Sequence, residues 1–268
     1  MPLSPQPIIV SQGTSLPLTT MNILILGGTS EASALASLLA ERAIPATFSY
    51  AGRVSTPKPQ PLPTRIGGFG GVDGLVAYLQ QAGISHLIDA THPFAEQMSR
   101  HALAAAAQCN IPLMAFTRPA WQPQPDDDWT PVASMAEAVN QLDGPPQRIM
   151  LAIGRQHLEA FAAMPQHHYL LRLVDRLDHP LPLPHHTVTV DRGPFSMAGD
   201  LALLKDHGVE RLVCKNAGGD GAVSKLTAAR VLGLPVVVIE RPTLPSRREC
   251  HALDDVLAWL SAPTERGV

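Results

Sequence analysis

The chain is poor in features that would commit it to several large classes. Its 268 residues hold only three cysteines, Cys109, Cys214 and Cys250, all isolated from one another. They are too few for a disulfide framework, and no Cys-x-x-Cys or His-x-x-x-His spacing offers a cage, so no metal is expected and a reducing cytoplasm fits. Basic residues are not in excess: 20 Lys and Arg stand against 23 Asp and Glu, a formal net charge of -3, which argues against a nucleic-acid partner. No run approaches the roughly 20 apolar residues of a membrane helix. Residues 1–20 contain no Lys or Arg from which to build a signal-peptide n-region. Rich in Pro, Ser, Thr and Gln, they read as a disordered extension ahead of an effective start at Met21. No Ser-His-Asp arrangement, paired-carboxylate motif or P-loop Lys-Ser/Thr is present, which lowers the hydrolase and kinase readings.

What is there begins with Asn22-Ile23-Leu24-Ile25-Leu26-Gly27-Gly28-Thr29-Ser30-Glu31. An apolar run ending in a glycine pair and a capping residue predicts a buried parallel strand, a tight turn and a helix start. Gly27 and Gly28 suit positive φ and close ligand approach, Thr29 or Ser30 suits the cap, and the helix end favours a phosphate. The full G-x-G-x-x-G fingerprint is missing, so at this point the corner reads either as a dinucleotide site or as an ordinary α/β turn. The second strand, Ala46 to Ala51, ends at Gly52-Arg53. In a Rossmann unit that tip faces the adenosine ribose, where Arg suits the 2′-phosphate of NADP and a carboxylate the 2′-hydroxyl of NAD. Arg53 therefore favours NADPH.

Arg65-Ile66-Gly67-Gly68-Phe69-Gly70-Gly71 has four glycines in five positions, a loop suited to close approach of main chain to a ligand. His86 to Ala90 predicts another buried strand, which presents Asp89, Thr91 and His92 at its carboxyl end, where open parallel sheets bind ligands. Gln122 to Pro131, rich in Pro and Asp, reads as a linker between domains. Strand and helix signals alternate again beyond it, so the fold class is α/β: two Rossmann-like parallel-sheet domains, 21–121 and 132–262, with a cleft between them. Arg118, Arg155, Arg172, Arg192, Lys215, Lys225 and Arg241 fall at or just after predicted strand ends. Guanidinium groups bind carboxylates bidentately, so a bulky polyanion is a natural client. The pairs His167-His168 and His185-His186 lie near prolines without acidic partners and read as solvated.

Taken in order, Gly27 to Glu31, Ser49-Tyr50-Ala51-Gly52-Arg53, Arg65 to Gly71, Asp89-Ala90-Thr91-His92-Pro93-Phe94-Ala95, Arg192-Gly193-Pro194-Phe195, and Lys215-Asn216-Ala217-Gly218-Gly219 with Lys225 resemble the motifs of the precorrin-6A reductase family over roughly Met21 to Leu260. Ala217 departs from the Ser of some members. The resemblance implies an NADPH-dependent oxidoreductase of cobalamin biosynthesis. Such an enzyme reduces one double bond of the precorrin-6A macrocycle, a tetrapyrrole-derived ring fringed with carboxylates, to give precorrin-6B.

On this reading Gly27, Gly28, Thr29, Glu31, Arg53, Gly67, Gly68 and Thr91 are the expected cofactor residues. Arg118, Arg155, Arg172, Arg192, Lys215, Asn216, Gly218 and Lys225 are expected to hold substrate. His92, Asp89 and Lys215 form the expected catalytic set, with His92 the proton donor because an imidazole pKa of about 6.5 makes its charge change accessible near neutrality. A monomer is favoured. The cobalt-precorrin-6A reductase of the anaerobic route, a non-catalytic NADP-binding module and a nucleotide-sugar transferase stand as alternatives.

Overall fold

In a computed structural model of the protein, which describes residues 21–52, 57–174, 180–191 and 193–262, twelve strands form two parallel sheets. Arg53 and Arg192, and the extension at 1–20, lie outside the described residues. In the first sheet β1 (Ile23–Leu26), β2 (Ala46–Tyr50), β3 (Thr64–Ile66), β4 (His86–Asp89), β5 (Leu113–Phe116) and β12 (Glu249–Cys250) take the order β12-β5-β4-β1-β2-β3. The second contains β6 (Trp129–Val132), β7 (Arg148–Ala152), β8 (His168–Leu173), β9 (His186–Val190), β10 (Arg211–Lys215) and β11 (Val236–Ile239), in the order β6-β11-β10-β7-β8-β9. The first sheet thus has the 3-2-1-4-5-6 arrangement of a doubly wound nucleotide-binding fold, and the second repeats its first five positions with β7 to β11 but takes as its sixth β6, which precedes them in the chain. The chain falls into two compact units, one running to Thr117 and resuming at Leu244, the other spanning Arg118–Thr243.

Burial on both faces explains the uninterrupted apolar strands. All four β1 residues are buried. Ile23 and Ile25 pack with α1 (Ser30–Glu41) and α7 (Leu253–Ser261). Leu24 and Leu26 pack on the other face against α2 (Val72–Gln81) and α3 (Glu96–Cys109), the alternation that a strand imposes. In the second unit Met150, Leu212, Cys214 and Val238 form a core with α5 (Met197–Asp206) and α6 (Ser224–Leu232). The short α4 (Met135–Asn140) is capped by Ser134, whose hydroxyl accepts from the Glu137 N–H.

The domain boundaries expected from the sequence need correction at both ends. The segment read as a linker carries β6, which pairs with β11 and belongs to the second unit. The last strand and helix return to the first unit, because β12 pairs with β5 and Val256, Trp259 and Leu260 complete its core. The sixth position of the first sheet is thus filled by a strand that returns after the second unit, and that of the second sheet by the strand that precedes the other five. A linear reading of composition does not show this, because both strands are short and one contains Pro131. The helix expected after β7 is instead a 3₁₀ stretch, Arg155–Ala163.

Candidate functional site

In the first unit, the β1 corner is a buried strand, a glycine turn and a capped helix start. Thr29 is the N-cap of α1: its hydroxyl accepts from the Ala32 N–H at 3.1 Å and donates to the Ala90 carbonyl at 2.8 Å, tying this turn to the end of β4. Gly28 sits at φ 121 with nothing within 4 Å of the position a Cβ would take. It leaves the main chain open beside the positive end of α1, so the corner fits a pyrophosphate. At Gly27 a Cβ would fall 2.1 Å from the Phe48 ring, so core packing also requires glycine there. Glu31 lies in the first helical turn and accepts from the Ser30 hydroxyl at 3.0 Å. That partner ties its carboxylate to the helix start.

The glycine-rich loop after β3 is similarly open. A Cβ placed on Gly67, Gly68, Gly70 or Gly71 would meet nothing within 4 Å, and three of them, Gly67, Gly70 and Gly71, have positive φ. Arg65 lies beneath this loop.

At the end of β4, Asp89 is only 3 % exposed and has four hydrogen bonds. Oδ1 accepts from the Thr91 N–H at 3.2 Å and the Thr91 hydroxyl at 2.6 Å, and Oδ2 from the Ser99 hydroxyl at 2.6 Å and Arg247 at 2.8 Å. A carboxylate so satisfied holds the loop in place. Thr91, expected at the cofactor, donates its hydroxyl inward to Asp89. His92 follows, half-buried, with Nδ1 accepting from the Phe94 N–H at 3.2 Å. An N–H donor at Nδ1 places the ring proton on Nε2. Neither Ser99 nor Arg247 carried a sequence signal; Arg247 reaches Asp89 only because the chain returns to this unit.

In the second unit, several cations counted as ligand groups are instead parts of the framework. Arg172 pairs with Asp200, both nearly buried, and its guanidinium lies 3.6 Å from the Phe195 ring centroid. Asp200 also accepts from the Ser224 hydroxyl. Lys225 is 4 % exposed; its ammonium donates to the Ala222 carbonyl and lies 4.5 Å from the Trp121 ring centroid. Burial lowers its pKa from 10.5, aided by Arg172 and Arg118 and opposed by Cys214 and Asp200. Burial also pushes the Cys214 thiol up to about 11, so that thiol stays neutral.

Asn216 brackets the Trp121 backbone, accepting from its N–H at 2.8 Å and donating to its carbonyl at 3.1 Å. The Trp121 indole donates to the Gly219 carbonyl at 2.8 Å, and Arg241 donates to the carbonyls of Asn216 and Ala217. At Gly218 a Cβ would meet the Pro119 carbonyl oxygen at 2.1 Å, so this glycine also answers to packing. These contacts give Arg172, Lys225, Asn216 and Gly218 internal partners within the second unit. Lys215 closes β10, Arg118 precedes the bracketed Trp121, and Arg155 is exposed after Gly154 at the end of β7. Among the described residues no group of three or more His, Cys, Asp or Glu could hold a metal ion.

Two six-stranded parallel sheets flanked by helices, the first with a glycine corner and a glycine loop open at its strand ends, define an α/β protein of the doubly wound class. The chain belongs to the precorrin-6x reductase family: the family described as Precorrin-6x reductase CbiJ/CobK matches residues 22–261. It is similar to the precorrin-6A reductase of Rhodobacter capsulatus, 56% identical over 248 residues, which are 92% of this chain and 99% of that protein. The cobalt-precorrin-6A reductase of Priestia megaterium is 32% identical over 234 residues, 83% of this chain and 91% of that protein. A solved structure, CobK precorrin-6A reductase, superposes with a TM-score of 0.88 at 55% identity, covering 93% of this chain and all of that one. The family and the α/β architecture expected from the sequence are therefore both found.

Proposed function

We propose that the protein is an NADPH-dependent precorrin-6A reductase of cobalamin biosynthesis, which saturates one double bond of the macrocycle to give precorrin-6B. The observation that carries this reading is the 56% identity to a precorrin-6A reductase over 99% of that protein's length. The weaker match to a cobalt-precorrin-6A reductase, at 32%, favours precorrin-6A over the cobalt-containing ring as substrate.

NADPH supplies a hydride when bound. Gly28 and the first turn of α1 would hold the pyrophosphate, and Arg53 the 2′-phosphate. Gly67 and Gly68 would border the cofactor. Thr91 and Asp89 set the loop from which His92 donates a proton to the ring as imidazolium, the form in which Nδ1 gives up the Phe94 N–H. Arg118, Arg155, Arg192 and Lys215 bind substrate carboxylates, while Arg172, Lys225 and Asn216 stiffen the loops behind them. The first domain serves the cofactor, the second the substrate. Among the described residues no helix is long and apolar enough to cross a membrane. We assign the enzyme to the cytoplasm on its three free cysteines, and as a monomer.

The test is oxidation of NADPH by purified protein with and without precorrin-6A, comparing wild type with Arg53→Ala. Substrate-dependent oxidation whose preference moves toward NADH in the variant supports the reading. Absence of oxidation with both metal-free and cobalt-containing rings refutes it.

A further inference from the structure

Arg65 has no part in the assignment above, yet it is the most connected side chain beneath the glycine loop. Its Nη1 donates to the Ser49 hydroxyl at 2.8 Å and to the Gly67 carbonyl at 2.9 Å, and its Nη2 donates to the Gly68 carbonyl at 3.1 Å. The guanidinium carbon lies 3.8 Å from the centroid of the Phe69 ring and 5.2 Å from that of Tyr78. Ser49 belongs to β2, directly opposite Arg65 in the parallel register, so one side chain ties the end of the second strand to the loop that follows the third.

The peptide geometry gives these contacts a consequence. In a trans peptide the C=O and the following N–H point in opposite directions. With the Gly67 and Gly68 carbonyls both turned to the guanidinium, the N–H groups of Gly68 and Phe69 are turned away from it. Successive amides displayed on one side form a concavity that attracts anions. The glycines leave that side open, with nothing within 4 Å of a Cβ at Gly67 or Gly68. A loop this rich in glycine loses much entropy on ordering, and Arg65 orders it before any ligand arrives.

We infer that Arg65 is a positioning residue for the dinucleotide: it acts through the main chain of Gly67–Phe69 and does not itself bind a phosphate. The inference rests on the NADPH reading above. Its mechanism depends on the planar fork of donors, which a lysine cannot reproduce although it keeps the charge.

Calorimetric titration of NADPH and NADH into wild type, Arg65→Met and Arg65→Lys tests this, with turnover at saturating cofactor as a second readout. Both variants should bind NADPH about tenfold more weakly, the effect of lost preorganisation, with the NADPH-to-NADH preference unchanged and kcat at saturating cofactor within about twofold of wild type. Ser49→Ala, a milder change, should weaken both cofactors in the same ratio. Restoration of wild-type affinity by Lys overturns the inference, because charge alone would then suffice. A selective loss of NADPH over NADH also overturns it, because Arg65 would then contact the 2′-phosphate, and so does unaltered affinity in Arg65→Met. Failure of wild type to bind either dinucleotide removes this inference together with the reading on which it rests.

Discussion

Arg247→Met removes one half of the ion pair that joins the returning chain to the loop carrying His92. Arg247 lies 2.8 Å from Asp89, with the two side chains 10% and 2% exposed. Deleting one partner of a buried pair costs about 3–5 kcal/mol, because the other charge is left without compensation. Asp89 would keep the Thr91 N–H and the hydroxyls of Thr91 and Ser99, which places the cost near the lower end, about 3 kcal/mol. For a domain of this size that lowers Tm by about 6–12 °C. Asp89→Asn should cost less, since Arg247 retains Glu249 at 2.8 Å. Denaturant unfolding of both single variants and the double variant gives the coupling directly. A coupling of about 2 kcal/mol or more is expected, against 0–1 kcal/mol for an exposed pair. A value under about 0.5 kcal/mol would refute the claim that this pair fastens the C-terminal return.

Three further outcomes follow from the same structure. Lys225 has a pKa lowered from 10.5 by burial, so between its lowered value and 10.5 the folded chain binds fewer protons than the unfolded one. The stability of wild type relative to Lys225→Met must therefore rise as pH climbs through that window and level off above it; a pH-independent difference would contradict the assignment. Gly27→Ala should destabilise by about 1–3 kcal/mol through overpacking against Phe48. Gly28→Ala meets no atom within 4 Å but would hold an alanine at φ 121, a strained conformation, so it should lower both Tm and NADPH affinity, and unaltered NADPH binding in this variant would count against the role of its open main chain. His92→Ala should slow single-turnover hydride transfer by about 10²-fold or more if its Nε2 proton is the one transferred, and a loss of only a few-fold would exclude it as the acid.

The architecture was legible because fully buried parallel strands such as Ile23–Leu26 and Val236–Ile239 write themselves as apolar runs with glycine or charge at their carboxyl ends. The β1 corner could be located from its glycines, but the reason for each could not: Gly27 answers to the ring of Phe48, on the neighbouring strand, and Gly28 to open space. The two edge strands β6 and β12 were illegible because their pairing partners are fixed by the route of the chain and not by local pattern. The surroundings of the cations were illegible for a related reason. Position at a strand end does not reveal whether a guanidinium faces a ligand or, like Arg172, a buried carboxylate contributed by a helix. Asp200 lies inside α5 and resembles a surface helical acid until the fold buries it.

Direct reduction of the macrocycle by NADPH is tested most sharply by mass spectrometry of the product formed from precorrin-6A and NADPH deuterated at the hydride-donating carbon. With the label on one face of the nicotinamide, hydride transfer predicts a product carrying one deuterium together with one hydrogen from solvent. Reduced product without deuterium from either labelled face, or no reduced product at all, would contradict it.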